Sequence, residues 1–87
     1  MNKKQMMVLT TTRQKALGGD AAAQLRLGRL YAKGEIVEAD PVHAYVWLTR
    51  AADQHAVRAG QERDAIAAAM SPADLERARA LLAGPLA

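Results

Sequence analysis

At 87 residues the chain forms one domain at most, and each element must bury apolar surface on more than one side. It has no cysteine, which removes disulfides, thiolate metal sites and cysteine nucleophiles together and fits a reducing cytoplasm. The net charge of +3 is uneven: Lys3, Lys4, Arg13 and Lys15 place +4 on residues 1–19, and the remaining eight basic and nine acidic side chains leave −1 elsewhere.

Alanine is abundant, aromatics are limited to Tyr31, Tyr45 and Trp47, and β-branched residues are few. This composition predicts an all-α fold of four or five antiparallel helices. No apolar run approaches the about 20 residues that span a bilayer. The run Met6-Met7-Val8-Leu9 falls short of the roughly 7–15 of a secretory core segment. The expectation is an unprocessed cytoplasmic chain with no membrane partner.

Residues 1–19 read as a basic arm or a partial helix from about Lys4 to Leu17, since Thr10-Thr11-Thr12 is poor helix-forming sequence. Such an arm attracts acidic partners or nucleic acid, although a solubilising, frayed terminus is the simpler reading. Gly18-Gly19 closes this segment, and Asp20 caps a helix over Ala21 to Lys33. Gly34 ends that helix as a residue with positive φ, and Glu35 to Ala39 form a loop. Asp40-Pro41 then restarts the chain as N-cap and first helical residue, for a helix running to about Gln54. A further helix covers Val57 to Met70. Ser71-Pro72-Ala73-Asp74 caps another that stops near Ala83 at Gly84-Pro85. The expected organisation is therefore an arm at 1–19, a helical repeat domain with a C-terminal capping helix pair at 20–83, and a tail at 84–87.

On the Ala21–Lys33 helix, Ala23, Leu27, Leu30 and Tyr31 share one face, and Ala21, Leu25, Gly28 and Ala32 share nearly the opposite one. Apolar residues on two sides predict a helix sandwiched between neighbours. Gly28 in mid-helix costs about 1 kcal/mol relative to alanine, so a close approach by another helix is expected there. Arg26, Arg29 and Lys33 form a basic edge between the stripes.

The stretch Ala23-Gln24-Leu25-Arg26-Leu27-Gly28-Arg29-Leu30-Tyr31-Ala32-Lys33-Gly34 resembles the first helix of a Sel-one-like repeat. Asp40 and the helix Ala44-Tyr45-Val46-Trp47-Leu48-Thr49-Arg50-Ala51-Ala52 look like the rest of that unit, from Asp20 to His55. Val57 to Ala83 is similar to the terminal helices that follow the last such repeat. The family is a relative of the tetratricopeptide repeats, so the resemblance implies a short α-solenoid of antiparallel helix–turn–helix units. It also implies that Leu27, Gly28, Tyr31, Gly34, Asp40, Ala44, Trp47, Ala51 and Ala52 are structural. The chain departs from the pattern at His55, where a glycine is usual. What the resemblance implies functionally is a protein-binding adaptor with no catalytic residues to carry over.

The residues themselves agree with a non-enzyme. His43 and His55 do not share a face, Asp53 is two residues from His55, and no zinc-ligand spacing occurs. Ser71 is a cap, and Gly18-Gly19 lacks the strand and lysine of a phosphate loop. No metal and no cofactor is expected. Trp47 reads as core more than as a binding hot spot. Candidate partner contacts are Arg26, Arg29, Lys33 and Tyr45, taking an acidic protein segment. The alternative is nucleic acid bound through the basic arm and the Arg26/Arg29/Lys33 edge, disfavoured because the domain is nearly neutral and poor in exposed aromatics. With one visible repeat, the face Ala21, Leu25, Gly28 and Ala32 needs cover. A second copy of the chain, as a homodimer, is favoured over the segment Met6 to Leu17 folding back.

Overall fold

The computed structural model describes residues 1–84, which fold into five α-helices with no strand among them. These are α1 (Lys3–Leu17), α2 (Ala21–Lys33), α3 (Pro41–Asp53), α4 (Ala59–Ala69) and α5 (Pro72–Ala83). Residues 85–87, including Pro85 of the expected helix stop and most of the expected tail, lie outside the described residues.

Local chemistry sets most boundaries. The Asp20 side chain accepts from the Ala23 amide at 2.9 Å, Asp40 from His43 at 3.1 Å, and Ser71 from Asp74 at 3.1 Å. Pro41 and Pro72 occupy the first helical positions after two of these caps. Gly34 closes α2 in the left-handed region at φ 73°, donating to the Leu30 carbonyl at 2.9 Å.

The segment read as an arm or partial helix is a helix of 15 residues. Asn2 and Gln5 form a reciprocal capping box, with Gln5 N donating to Asn2 Oδ1 at 2.8 Å and Asn2 N to Gln5 Oε1 at 3.0 Å. Thr12 and Ala16 are buried, and Leu9 and Leu17 pack on the core, so tertiary burial offsets the weak propensity of the threonine triplet.

The helix expected from Val57 begins two residues later, at Ala59. The cause is the end of α3. The His55 amide donates to the Ala52 carbonyl at 2.9 Å and the Ala56 amide to Ala51 at 3.1 Å, a Schellman motif that puts His55 at φ 67°. The Ala59 amide then bonds back to Ala56 in a turn, which consumes Val57 and leaves it exposed.

Helix α3 is the hub, packed against α2, α4 and α5, while α1 packs against α2. An ion pair between Arg29 and Glu62 sets α4 beside α2, as α5 lies beside α3. Successive helices pack on one another, α1 on α2, α2 on α3 and α3 on α4, in keeping with a short α-solenoid. The core joins Ala16, Ala23, Leu27, Leu30 and Trp47, with Tyr31, Ile36 and Val37 packed on it. Residues from α1 and α3 meet α2 in this one cluster, so burial on α2 forms one broad arc, not two opposed stripes. Of the second expected stripe, Gly28 is buried, Ala21 and Leu25 are half-buried, and Ala32 is exposed. Ile36 has φ 67°, strained for a β-branched residue, and is held there by its packing on the core.

One buried polar residue ties three helices together. The Gln24 side chain donates to the Ala16 carbonyl at 3.1 Å and accepts from Gln54 Nε2 at 2.8 Å. It gives a C-terminal carbonyl of α1, which also accepts from the Gly19 amide, a second donor and anchors the end of α3.

Candidate interaction surfaces

The basic edge of α2 divides between two neighbours. Arg26 is exposed and lines hollows with α1 residues Thr11 and Thr12. Arg29 turns the other way, donating through Nε and Nη2 to both carboxylate oxygens of Glu62 at 2.8 Å each. This two-pronged bond raises the pKa of Arg29 and, against the opposing effect of burial, lowers that of Glu62. Sequence reading placed Arg29 on the edge but gave no sign of its partner, which stands 33 residues away.

An open groove between α2 and α4 is lined by Arg29, Lys33, Arg58, Gln61 and Glu62. Three cations therefore face one carboxylate. Lys33 and Arg58 are exposed, and neither has an ion-pair partner among the described residues. Arg58 was missed at the sequence level because it lies in the turn before α4, where helical periodicity has no force. Tyr45 is half-buried on α3 and lines none of these hollows.

The residues that the repeat pattern marked as structural are placed as follows. Leu27, Ala44 and Ala51 are fully buried, and Trp47 is nearly so. Gly28 stands against Leu48, where an added Cβ would lie 2.8 Å from Leu48 Cγ. At Gly34 it would lie 3.1 Å from Ala39 Cβ, so positive φ and close packing both demand glycine there. Ala52 faces the start of α4 at Gly60. The Tyr31 hydroxyl accepts from Arg13 Nη2 at 3.3 Å, and its ring packs at a 32° tilt against His43, centroids 5.3 Å apart. His43 in turn bonds through Nδ1 to its helix cap, Asp40, at 2.7 Å. That contact, and the position of His55 in a helix-ending turn, separate the two histidines. Among the described residues no group of three or more histidines and carboxylates is placed to hold a metal ion. No described helix is long and apolar enough to cross a membrane.

Stacked helix pairs, a glycine at the contact and a left-handed glycine stop followed by an Asp-Pro start define a helical-repeat protein. Residues 21–55 match the family model described as Sel1 repeat, and the chain thus carries a Sel1 repeat that spans α2, its loop and α3. Sel1 repeats are non-catalytic and generally mediate protein–protein interaction. Neither a curated protein nor a solved structure matches the chain.

Proposed function

We propose that this chain is a small cytoplasmic adaptor or regulator that binds an acidic segment of a partner protein along α2 and α4, without catalysis. The observation that carries this reading is the groove in which Arg29, Lys33 and Arg58 face the single carboxylate of Glu62. Glu62 holds Arg29 in place, so Lys33 and Arg58 are the groove cations free to meet carboxylates of a partner, with Arg26 a further exposed cation on the α1 side of α2. Complementary charge of this kind sets partner choice and speeds encounter. Nucleic acid fits less well: the basic N-terminal segment is folded as α1, and Trp47 is buried with Arg50 over its ring, which leaves little aromatic surface on which a base would stack.

The test uses paired baits, the native chain and an Arg26→Glu/Lys33→Glu/Arg58→Glu variant that spares Arg29 and the ion pair. A partner retained by the first and lost by the second, with equal helicity and melting temperature, supports the reading. Identical capture by both baits contradicts it. Self-association belongs to the same reading, since Met6 and Met7 are exposed on α1 and Leu25 is only half-buried. Sedimentation equilibrium on the native chain checks it: a concentration-dependent dimer supports a homodimer, and a strict monomer excludes it.

A further inference from the structure

A second hollow lies away from the α2–α4 groove, with a volume of about 170 Å³ and walls from four helices. Arg13 comes from α1, Tyr31 from α2, His43, Trp47 and Arg50 from α3, and Leu81 from α5. No residue lining it is acidic. The Arg50 guanidinium covers the Trp47 ring at 5.1 Å, and among the described residues it hydrogen-bonds only to the Leu81 carbonyl, at 3.5 Å. Partial burial lowers its pKa. Arg13 spends one donor on the Tyr31 hydroxyl. Among the described residues neither arginine has a carboxylate partner. Two guanidinium groups thus line one cavity with most of their donors unpaired by the described residues.

The hollow continues into an apolar trough. His43 and Leu81 also line the neighbouring depression, together with Val42, Ala80, Asp40 and Arg77. Asp40 is committed to His43 and to capping α3. Leu81 is 43% exposed, large for a leucine flanked by two arginines across the groove. We propose that this α3–α5 groove is a second binding site, for a protein segment in which an acidic side chain stands beside an apolar one. The carboxylate accepts hydrogen bonds from Arg13 and Arg50, and the apolar side chain lies on Val42, Ala80 and Leu81. A phosphodiester chain would satisfy the arginines but offers nothing apolar to the trough, and Arg50 already lies over the Trp47 ring on which a base would stack.

This inference rests on the reading of the chain as a protein-binding module, but on a different surface, so the two fail separately. Trp47 is the only tryptophan of the chain and forms the wall of the hollow beneath Arg50. Its fluorescence therefore reports occupancy. The probe is the blocked peptide acetyl-Leu-Glu-Leu-Asp-Leu-amide, with the Gln/Asn counterpart as control. The native chain is expected to give a saturable change with the acidic peptide only. Arg13→Gln, on the exposed face of α1, should weaken it about tenfold, the loss expected of one charge-assisted hydrogen bond. Arg50→Gln should weaken it further, and the Arg26→Glu/Lys33→Glu/Arg58→Glu variant should bind as the native chain does. Absence of a saturable change at millimolar peptide, equal binding of the neutral counterpart, or indifference to Arg13→Gln would each overturn the proposal. So would an Arg13-dependent response to a single-stranded oligonucleotide in place of the peptide.

Discussion

Gly28 and Leu48 meet so closely that a single added methyl on Gly28 would lie 2.8 Å from Leu48 Cγ and 3.3 Å from its backbone nitrogen. Leu48 is fully buried and cannot swing aside, and the backbone of α3 stands directly behind it. Gly28→Ala gains about 1 kcal/mol of helix propensity, yet overpacking of about 1–3 kcal/mol outweighs it. Gly28→Leu should lose more. Thermal and urea unfolding measure both, and a raised melting temperature for either would remove the close approach as the reason for this glycine.

His55 and Gly19 occupy equivalent positions at the ends of α3 and α1. Gly19 has φ 97°, with its amide bonded to Ala16 and the Asp20 amide to Lys15, the same pair of bonds that surrounds His55 at φ 67°. The left-handed region costs a residue with a Cβ about 1–2 kcal/mol, partly offset by the greater unfolded-state freedom of glycine. His55→Gly is therefore expected to stabilise the fold by about 0.5–1 kcal/mol. Gly19→Ala, where nothing stands within 4 Å of the new methyl, should lose a similar amount for purely conformational reasons. Opposite signs in a urea denaturation pair confirm the motif, and equal signs count against it.

The Gln24 side chain is the one buried link between the ends of α1 and α3. Gln24→Ala removes one of the two hydrogen bonds to the Ala16 carbonyl and releases the exposed Gln54 amide to water, and should cost about 0.5–1.5 kcal/mol. Hydrogen exchange distinguishes this from simple cavity formation. Protection should fall first at Gly19 and His55, whose amides close the two helix ends.

Acid should weaken the fold through two carboxylates. The bond from Arg29 lowers the pKa of Glu62 despite burial. At Asp40 burial alone would raise it, but bonds from the His43 amide and ring and from the Val42 amide bring it below the ordinary value. Both groups bind protons less readily folded than unfolded, so their stabilisation is present above the usual carboxylate range, near pH 4, and is lost as pH falls through the depressed values. Glu62→Gln should flatten part of this acid slope at a cost of about 0.2–1 kcal/mol, since the pair is partly exposed. Asp40→Ala should cost about 0.5–2 kcal/mol through the lost cap. Urea midpoints followed downward from neutral pH measure both effects.

The repeat itself was legible because its signals are local. The Asp20, Asp40 and Ser71 caps, the Gly34 stop and the mid-helix Gly28 each act within a turn or across one contact that the repeat pattern implies. Helix α1 was harder to read, because its capping box hangs on Asn2 and its weak threonines are rescued by burial of Thr12 and Ala16 against another helix. The pairs Arg29–Glu62 and Gln24–Gln54 join residues 33 and 30 positions apart. They depend on how helix pairs stack, which periodicity along one helix does not encode. The same is true of the α3–α5 groove, whose arginines come from α1 and α3 and become neighbours only in the folded chain.

Chemical-shift mapping of the isotope-labelled chain with its captured partner tests the central claim most directly. The account predicts perturbed amides along the α2–α4 groove, from Arg29 to Lys33 on α2 and from Arg58 to Glu62 at the start of α4. Perturbations that leave this surface untouched while the partner binds would contradict it.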